Sequence, residues 1–443
     1  MIAETVAGKR IESRSPSSPL TVALLTIGCK LNQAESEAMA GELMQAGCRL
    51  VDRAEPADAF VINSCAVTHV AERKSRHLIR LARRLSPDAR IVVTGCYAAA
   101  TTPDVLSALG ADAVLHNHEK ECASALILGD LPRPDASSNG SARLRTRSFI
   151  KIQEGCNDVC AFCVVPQTRG RERSVPAEQI LRAVQSAEAN SVKEVVLTGT
   201  QLGAYGRDAS DGIDLLKMIS LVLERTSVPR VRLSSVQPQD ITPALLDLWD
   251  DPRLCRHFHI ALQSGSDDVL TRMRRRYTTR QFAEALAAIR RKLPDAAVTT
   301  DVLVGFPGEC EADFETTRRF CREAEFAALH VFPFSSRPGT LAARMPDQVR
   351  AQEKRERVQE MLALGEELRT SFLSRYEGGT VEVLFEKAVS RACGRPLWEG
   401  LTGNYIRVLA PADEPLENRI VAVKLGERYR SDLLGEPVRI ESS

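Results

Sequence analysis

Twelve cysteines stand out in this chain of 443 residues. Three are tightly clustered in the run Ile152-Gln-Glu-Gly-Cys156-Asn-Asp-Val-Cys160-Ala-Phe-Cys163-Val-Val-Pro166. A loop this short cannot bury three thiols separately, so CxxxCxxC directly after an apolar run points to metal ligation. Three thiolates suit a 4Fe–4S cluster, which takes one protein ligand per iron and would keep its fourth iron open to a small molecule. The alternative is a zinc site with a fourth ligand drawn from elsewhere. Cys29, Cys65 and Cys96 follow a second pattern: each sits just past the end of an apolar run. Any one alone reads as an ordinary buried cysteine. Their repeated placement suggests convergence, because open parallel sheets gather ligands at the C-terminal ends of their strands. Cys48, Cys122, Cys255, Cys310, Cys321 and Cys393 show no partner pattern and read as buried or incidental. The seven histidines show no metal spacing. His257 and His259 alternate along one strand and should face the same side.

The elements that must position these groups are legible as an α/β chain. Residues 21–27, 59–63 and 90–94 read as buried strands, with helices over 32–46 and a basic helix over 70–85. That alternation predicts a small N-terminal parallel α/β domain over 20–129, after a disordered leader over 1–19. A Pro-, Ser- and Asn-rich stretch predicts a linker over 130–146. Strands are then expected at 149–153, 194–198, 230–234, 257–262, 297–304 and 328–332, with helices among them at 177–189, 281–291 and 312–324. Six such units in about 190 residues predict a central partial (β/α)6 barrel over 147–372, including a long charged exit helix. In barrels of this kind the chemistry sits at the C-terminal face, where the Cys156 loop falls. The tail, 373–443, has short strands expected at 380–385, 398–401, 405–409, 420–423 and 438–440, which predict a small β-barrel.

Composition narrows the partners. Apolar residues are 44% and charged residues 26%, and 59 basic against 58 acidic residues leave +1. A wholly basic nucleic-acid binder is excluded, so RNA contact must use local patches. Candidates are Arg272, Arg274, Arg275 and Arg276, with Arg143, Arg145 and Arg147 before the cysteine loop and Arg169, Arg171 and Arg173 after it. The tail from Gly378 carries nine basic and ten acidic residues, so its charge does not announce RNA. No apolar run is long enough to span a membrane and no secretory h-region is evident, so a cytoplasmic location with no membrane contact is expected.

The cysteine loop, with Phe162 before its last cysteine, resembles the signature of radical S-adenosylmethionine enzymes. In that superfamily the open iron chelates the methionine amino and carboxylate groups, and reductive cleavage gives a 5′-deoxyadenosyl radical. Thr26-Ile-Gly-Cys29-Lys-Leu-Asn32, Val61-Ile-Asn-Ser-Cys65-Ala-Val67 and Val93-Thr-Gly-Cys96-Tyr-Ala98 are similar to the three cysteine motifs of the methylthiotransferase N-terminal domain, where they bind a second 4Fe–4S cluster. Ser64 stands where that family more usually has threonine. The resemblance runs from about Thr21 to Ile440 and includes Leu233-Ser-Ser-Val-Gln-Pro238, His259-Ile-Ala-Leu-Gln-Ser-Gly-Ser-Asp267 and His330-Val-Phe-Pro-Phe-Ser-Ser-Arg-Pro-Gly-Thr340. The tail is similar to the RNA-binding TRAM domain.

The resemblance implies two 4Fe–4S clusters, on Cys156, Cys160 and Cys163 and on Cys29, Cys65 and Cys96. It implies S-adenosylmethionine as cofactor, tRNA as partner and an electron donor such as flavodoxin or ferredoxin. Thr198, Gly199, Thr200 and Gln201 would contact the methionine amino group. Gly305 would let an adenine approach the backbone, with Glu309 closing the same turn. Both segments serve equally as plain turns. Ser234, Ser235 and Gln263, at strand ends, can bond a ribose or carboxylate. No catalytic side chain beyond the cluster ligands is expected. Within the family the chain most resembles the branch that adds a methylthio group to carbon 2 of threonylcarbamoyladenosine next to the anticodon. Alternatives are isopentenyladenosine, an aspartate of a ribosomal protein, and a non-enzymatic RNA-binding iron–sulfur or zinc protein.

Overall fold

The computed structural model describes residues 19–51, 55–129, 146–392 and 395–438. Nearly all of the expected leader and of the expected linker, with Arg143, Arg145 and Cys393, lie outside the described residues. Among the described residues, no helix is long and apolar enough to cross a membrane.

The first sheet is built from β1 (Thr21–Thr26), β2 (Arg49–Val51), β3 (Ala59–Ser64), β4 (Arg90–Gly95) and β5 (Ala113–Val114), ordered β2-β1-β3-β4-β5. Every pairing is parallel. The very short β2 and β5 were not legible in the sequence. β3 is buried along its whole length, which is why it reads as an unbroken apolar run rather than an alternating one. Helix α1 (Lys30–Gln45) covers one face and α2 (His69–Leu85) the other, with separate apolar clusters around Leu43 and Ile79. Thr68 caps α2 by accepting the amide of Ala71. Short helices α3 (Cys96–Ala99), α4 (Pro103–Ala108) and α5 (Ala123–Leu128) complete this unit.

The central chain runs through β6 (Arg147–Glu154), α6 (Val165–Thr168), β7 (Arg173–Ser174), α7 (Ala177–Ala189), β8 (Glu194–Gly199), α8 (Leu215–Arg225), β9 (Arg230–Leu233) and β10 (Ser235–Val236). It continues with α9 (Pro243–Asp247), β11 (His257–Ile260), α10 (Asp267–Arg272), α11 (Thr279–Lys292), β12 (Ala297–Val304), α12 (Glu311–Glu323), β13 (Ala328–Pro333) and α13 (Ala351–Ser374). Two four-stranded sheets, β7-β6-β8-β9 and β10-β11-β12-β13, form the wall. A parallel bridge between Val231 and Leu254 joins them. The six predicted strands are β6, β8, β9, β11, β12 and β13, in sequence order around the wall. β7 pairs antiparallel at the edge, outside that pattern. Helix α1 packs against β6 and β8, and Ala34, Phe149 and Val196 form a small cluster there. The largest apolar core lies between the wall and its outer helices.

The tail is a closed barrel of β14 (Thr380–Ala392), β15 (Arg395–Thr402), β16 (Arg407–Pro411), β17 (Ile420–Tyr429) and β18 (Asp432–Pro437), ordered β14-β15-β16-β18-β17. Its last strand differs from expectation. It is Asp-Leu-Leu-Gly-Glu-Pro, which lacks β-branched residues, whereas Val438 lies just past it and 439–440 lie outside the described residues. Tyr405 is also not in a strand: it turns at φ 69° before β16. Its ring stacks on His257 at 4.6 Å and under the Arg232 guanidinium at 4.6 Å. Arg230 and Arg232, at the N-terminal end of β9, donate to the carbonyls of Glu382, Leu401 and Gly403. The tail barrel therefore plugs the end of the wall opposite the cysteine loop.

Candidate functional site

Cys29 caps the start of α1, Cys65 follows β3 and Cys96 opens α3, so all three stand at one edge of the first sheet. Polar side chains stitch their loops together. Asn32 donates to the carbonyls of Ile27 and Ser64 at 2.7 and 3.0 Å, and Asn63 donates back to the Asn32 carbonyl. Ser64 bonds the Thr94 carbonyl and accepts the amide of Ala98, tying β3 to the turn that carries Cys96. Ser75 of α2 bonds the backbone amide and carbonyl of Cys65. Gly95 has φ 97°, and a Cβ there would lie 2.3 Å from the Ser64 carbonyl oxygen. Only glycine lets the Cys65 and Cys96 loops approach this closely. Cys65 and Cys96 are buried and Cys29 is exposed. Burial pushes the Cys65 thiol up to about 11, and the neighbouring Cys96 and Cys29 add to that direction.

Cys156, Cys160 and Cys163 lie in the loop after β6, at the C-terminal end of the wall. Each sulfur has a polar neighbour. The Asp158 amide donates to Cys156 at 3.3 Å, the Val165 amide to Cys163 at 3.4 Å, and the Arg275 guanidinium to Cys160 at 3.3 Å. Burial pushes Cys156 up to about 11 and Cys163 up to about 12. Beneath the loop, Ala161, Met273, Phe306 and Phe334 pack together, and Phe162 meets Phe306 edge-on at 6.3 Å. Phe162 thus belongs to the apolar floor of the loop. Among the described residues, no three His, Cys, Asp or Glu side chains are gathered closely enough to hold a single metal ion.

The other predicted contacts fall in two groups. Thr198 and Gly199 end β8, and Gln201 follows with its carbonyl Oε1 3.1 Å from Cys156 Sγ. The Gln201 amide donates to Gln153 Oε1. Thr200 Oγ1 and Ser234 Oγ are buried without a protein partner. Ser235 opens β10, and Gln263 sits after β11 at φ 68°, bridged to Val302. These residues share the strand ends around the cysteine loop. Glu309 differs: one carboxylate oxygen accepts the amides of Gly305 and Phe306, and the other accepts from Arg357 at 3.0 Å. Burial pushes this carboxyl up to about 7, against the pull of Arg357. The Gly305–Glu309 segment is thus a braced turn. His257 and His259 do face one side, where both meet Thr299 Oγ1. His259 also reaches Asp301 at 3.3 Å.

Three of the predicted phosphate-binding arginines, Arg169, Arg147 and Arg275, are held by partners within the fold. Arg169, 2% exposed, bonds Glu35 at 2.7 Å and Asn32 at 2.6 Å. Lys120 pairs with the same Glu35 and bonds Asn63 at 3.1 Å. Burial pushes the Glu35 carboxyl up, but Arg169 and Lys120 together outweigh it and hold it at about 2. Arg169 follows the Cys156 loop, and Asn32 and Glu35 follow Cys29, so this buried junction joins the two cysteine sites. A cleft of about 660 Å³ runs beside it, and His116, His118, Arg171 and Arg173 are among its lining residues. Arg147 pairs with Glu386, and Arg275 serves Cys160. Asn32 and Asn63 were not among the expected site residues, and Arg275, expected at phosphate, donates to Cys160. The signal was present for the asparagines, which lie within three positions of Cys29 and Cys65, but their role needs the fold.

Comparison with known proteins agrees with this geometry. Residues 150–321 match the Radical SAM superfamily, and residues 21–116 match the Uncharacterized protein family UPF0004. The chain is 39% identical over 424 residues to the threonylcarbamoyladenosine tRNA methylthiotransferase MtaB of Bacillus subtilis, covering 91% of this chain and 93% of that one. It is 35% identical to a tRNA-2-methylthio-N(6)-dimethylallyladenosine synthase of Acidothermus cellulolyticus, covering 85% and 80%. In fold it is similar to the radical S-adenosylmethionine methyltransferase TsrM of Kitasatospora setae, with a TM-score of 0.52, 14% identity and coverage of 71% of this chain and 75% of that chain.

Proposed function

The chain belongs to the radical S-adenosylmethionine methylthiotransferase family, on its threonylcarbamoyladenosine tRNA branch, and from that premise we propose that its two cysteine triads hold two 4Fe–4S clusters facing one tRNA base. The enzyme adds a methylthio group to carbon 2 of N6-threonylcarbamoyladenosine next to the anticodon, using S-adenosylmethionine. The observation that carries the two-cluster reading is the buried Arg169–Glu35 junction, which joins the Cys156 loop to the Cys29 turn.

The residues fit these groups. A zinc ion holds its sulfurs at about 2.3 Å, so they crowd one point. A four-iron cube takes one ligand per iron and keeps them farther apart. Both triads supply thiol sulfur alone, the donor set that a 4Fe–4S cluster takes. Around the Cys156 loop, backbone amides and Arg275 point at the sulfurs, an arrangement that tunes cluster potential. The unpartnered hydroxyls of Thr200 and Ser234 offer buried polar contacts to S-adenosylmethionine, since a buried hydroxyl is normally bonded. When loaded, the Cys156 site supplies radical chemistry for a carbon–hydrogen bond that acids and bases leave untouched at neutral pH. Thr198, Gly199, Gln201, Ser235 and Gln263 line the same strand ends and orient the cofactor. The Cys29 site holds the sulfur within reach on the facing unit. A flavodoxin- or ferredoxin-type donor supplies electrons.

Nucleoside mass spectrometry of tRNA from a deletion strain tests this. Loss of 2-methylthio-N6-threonylcarbamoyladenosine with accumulation of its unthiolated precursor is expected. Loss of the isopentenyladenosine derivative instead, or of a methylthio-aspartate from a ribosomal protein, would reassign the substrate.

A further inference from the structure

Helix α2 carries six basic residues and a single acidic one, Glu72. Two of the basic residues are committed to the fold: Arg83 pairs with Asp112 at 2.6 Å, and Arg76 lies over the Tyr97 ring. Arg73, Lys74, Arg80 and Arg84 are exposed. Among the described residues none of these four has an ion-pair partner. Arg73, His77, Arg80 and Arg84 are spaced four, three and four apart, so they form one stripe along the outer face. From Arg73 to Arg84 the stripe runs about 16 Å. Its sole acid is removed from the field, because Glu72 is ion-paired at 2.6 Å to Arg337 in the segment after β13.

The stripe's place gives it meaning. It begins eight residues after Cys65, and the Glu72–Arg337 pair pins its first turn to the rim of the wall beside the cysteine loop. The bonds that dock the tail barrel, from Arg230 and Arg232, lie at the opposite end of the wall. An RNA base delivered between the two cysteine sites brings flanking phosphates past the rim. A row of cations whose exposed apolar neighbours, Val67 and Val70, lie at one end rather than at its centre suits a phosphate backbone better than a protein surface, whose contact core is poor in lysine.

We propose that the exposed face of α2, through Arg73, Lys74, Arg80 and Arg84, is a docking surface for the phosphate backbone of the tRNA substrate. This rests on the reading of tRNA as substrate. Each phosphate neutralised releases counterions and contributes roughly 0.7–0.9 to the slope of log affinity against log salt. Four contacts should therefore contribute about three to that slope.

The test is fluorescence anisotropy with a labelled in vitro tRNA transcript over a salt series. It compares the loaded wild type, Arg73/Lys74/Arg80/Arg84→Ala, and a charge-matched control, Arg182/Arg291/Arg319/Arg355→Ala, on other helices. All six cysteines are kept, and iron content and circular dichroism verify folding. The α2 variant should lose about three from the slope, so that between 50 and 200 mM salt the wild type loses roughly 60-fold more affinity than the variant. The control should keep the wild-type slope. An unchanged slope in the α2 variant overturns the proposal, as does an equal loss in the control, which would mean net charge alone. A variant that binds RNA normally but turns over slowly only with a protein reductant, and not with dithionite, overturns it in favour of an acidic electron donor on this helix. If the wild type shows no salt-dependent binding of tRNA at all, the substrate reading fails instead.

Discussion

Arg169 is the side chain whose removal should separate radical formation from product formation. It is 2% exposed and its partner Glu35 3%, and it makes two bonds to that carboxylate and one to Asn32. Breaking a buried pair by removing one partner costs about 3–5 kcal/mol. Lys120 still faces Glu35 after Arg169→Met, so the lower end, about 3 kcal/mol, is expected. A chain with several cores does not unfold in one step, so local opening is the better readout. Hydrogen exchange of α1 amides in the anaerobic apoprotein should accelerate roughly 100-fold, since 1.36 kcal/mol is tenfold. Glu35→Gln should do likewise, and the double variant should cost less than the sum by roughly 1–3 kcal/mol. In the loaded enzyme, 5′-deoxyadenosine should continue to form while methylthiolated product per 5′-deoxyadenosine falls, because reacting groups must be held in register. Exchange within threefold of wild type, with an unchanged product ratio, would refute the claim that this junction sets the two sites against each other.

Three further outcomes are expected. Cys160→Ala should lower iron by about four atoms per chain and abolish 5′-deoxyadenosine formation, measured by iron assay and chromatography, since each cluster holds four irons. The Cys29/Cys65/Cys96→Ala variant should lose the other four irons and all methylthio product in mass spectrometry but still cleave S-adenosylmethionine; product at the normal rate would make these cysteines ordinary core residues. Glu35 is held at about 2 in the fold against an ordinary 4.5, so its contribution is complete above 4.5 and lost as pH falls toward 2. That shift corresponds to about 3 kcal/mol, and the exchange difference between wild type and Glu35→Gln should shrink across this acid range.

Much of the architecture was legible because hydrophobic pattern is local. The apolar runs of β1, β3 and β4 announce buried parallel strands, and α7 fell where its periodicity put it. β5, two residues long, carries no periodicity at all, and β18 lacks the β-branched residues that mark a strand. Their existence depends on neighbours that supply hydrogen-bonding edges. The two cysteine triads were also visible, since ligand type and spacing are written in the chain.

Charge was where sequence reading misled. Arg169, Arg147 and Arg275 look like the other arginines of their basic runs, yet each is paired across the molecule with a residue distant in sequence or with a cysteine sulfur. Burial and pairing are properties of the fold, and nothing local distinguishes a guanidinium that meets water from one that meets Glu35. The sequence by itself determined which atoms can bind metal, which runs become strands and where the loops fall. Only the tertiary structure decided that the two triads share a junction, that the tail plugs the far end of the wall, and that, among the described residues, Arg73, Lys74, Arg80 and Arg84 of α2 stay exposed without an ion-pair partner. Those outcomes depend on distances between segments far apart in the chain, which short-range pattern does not encode.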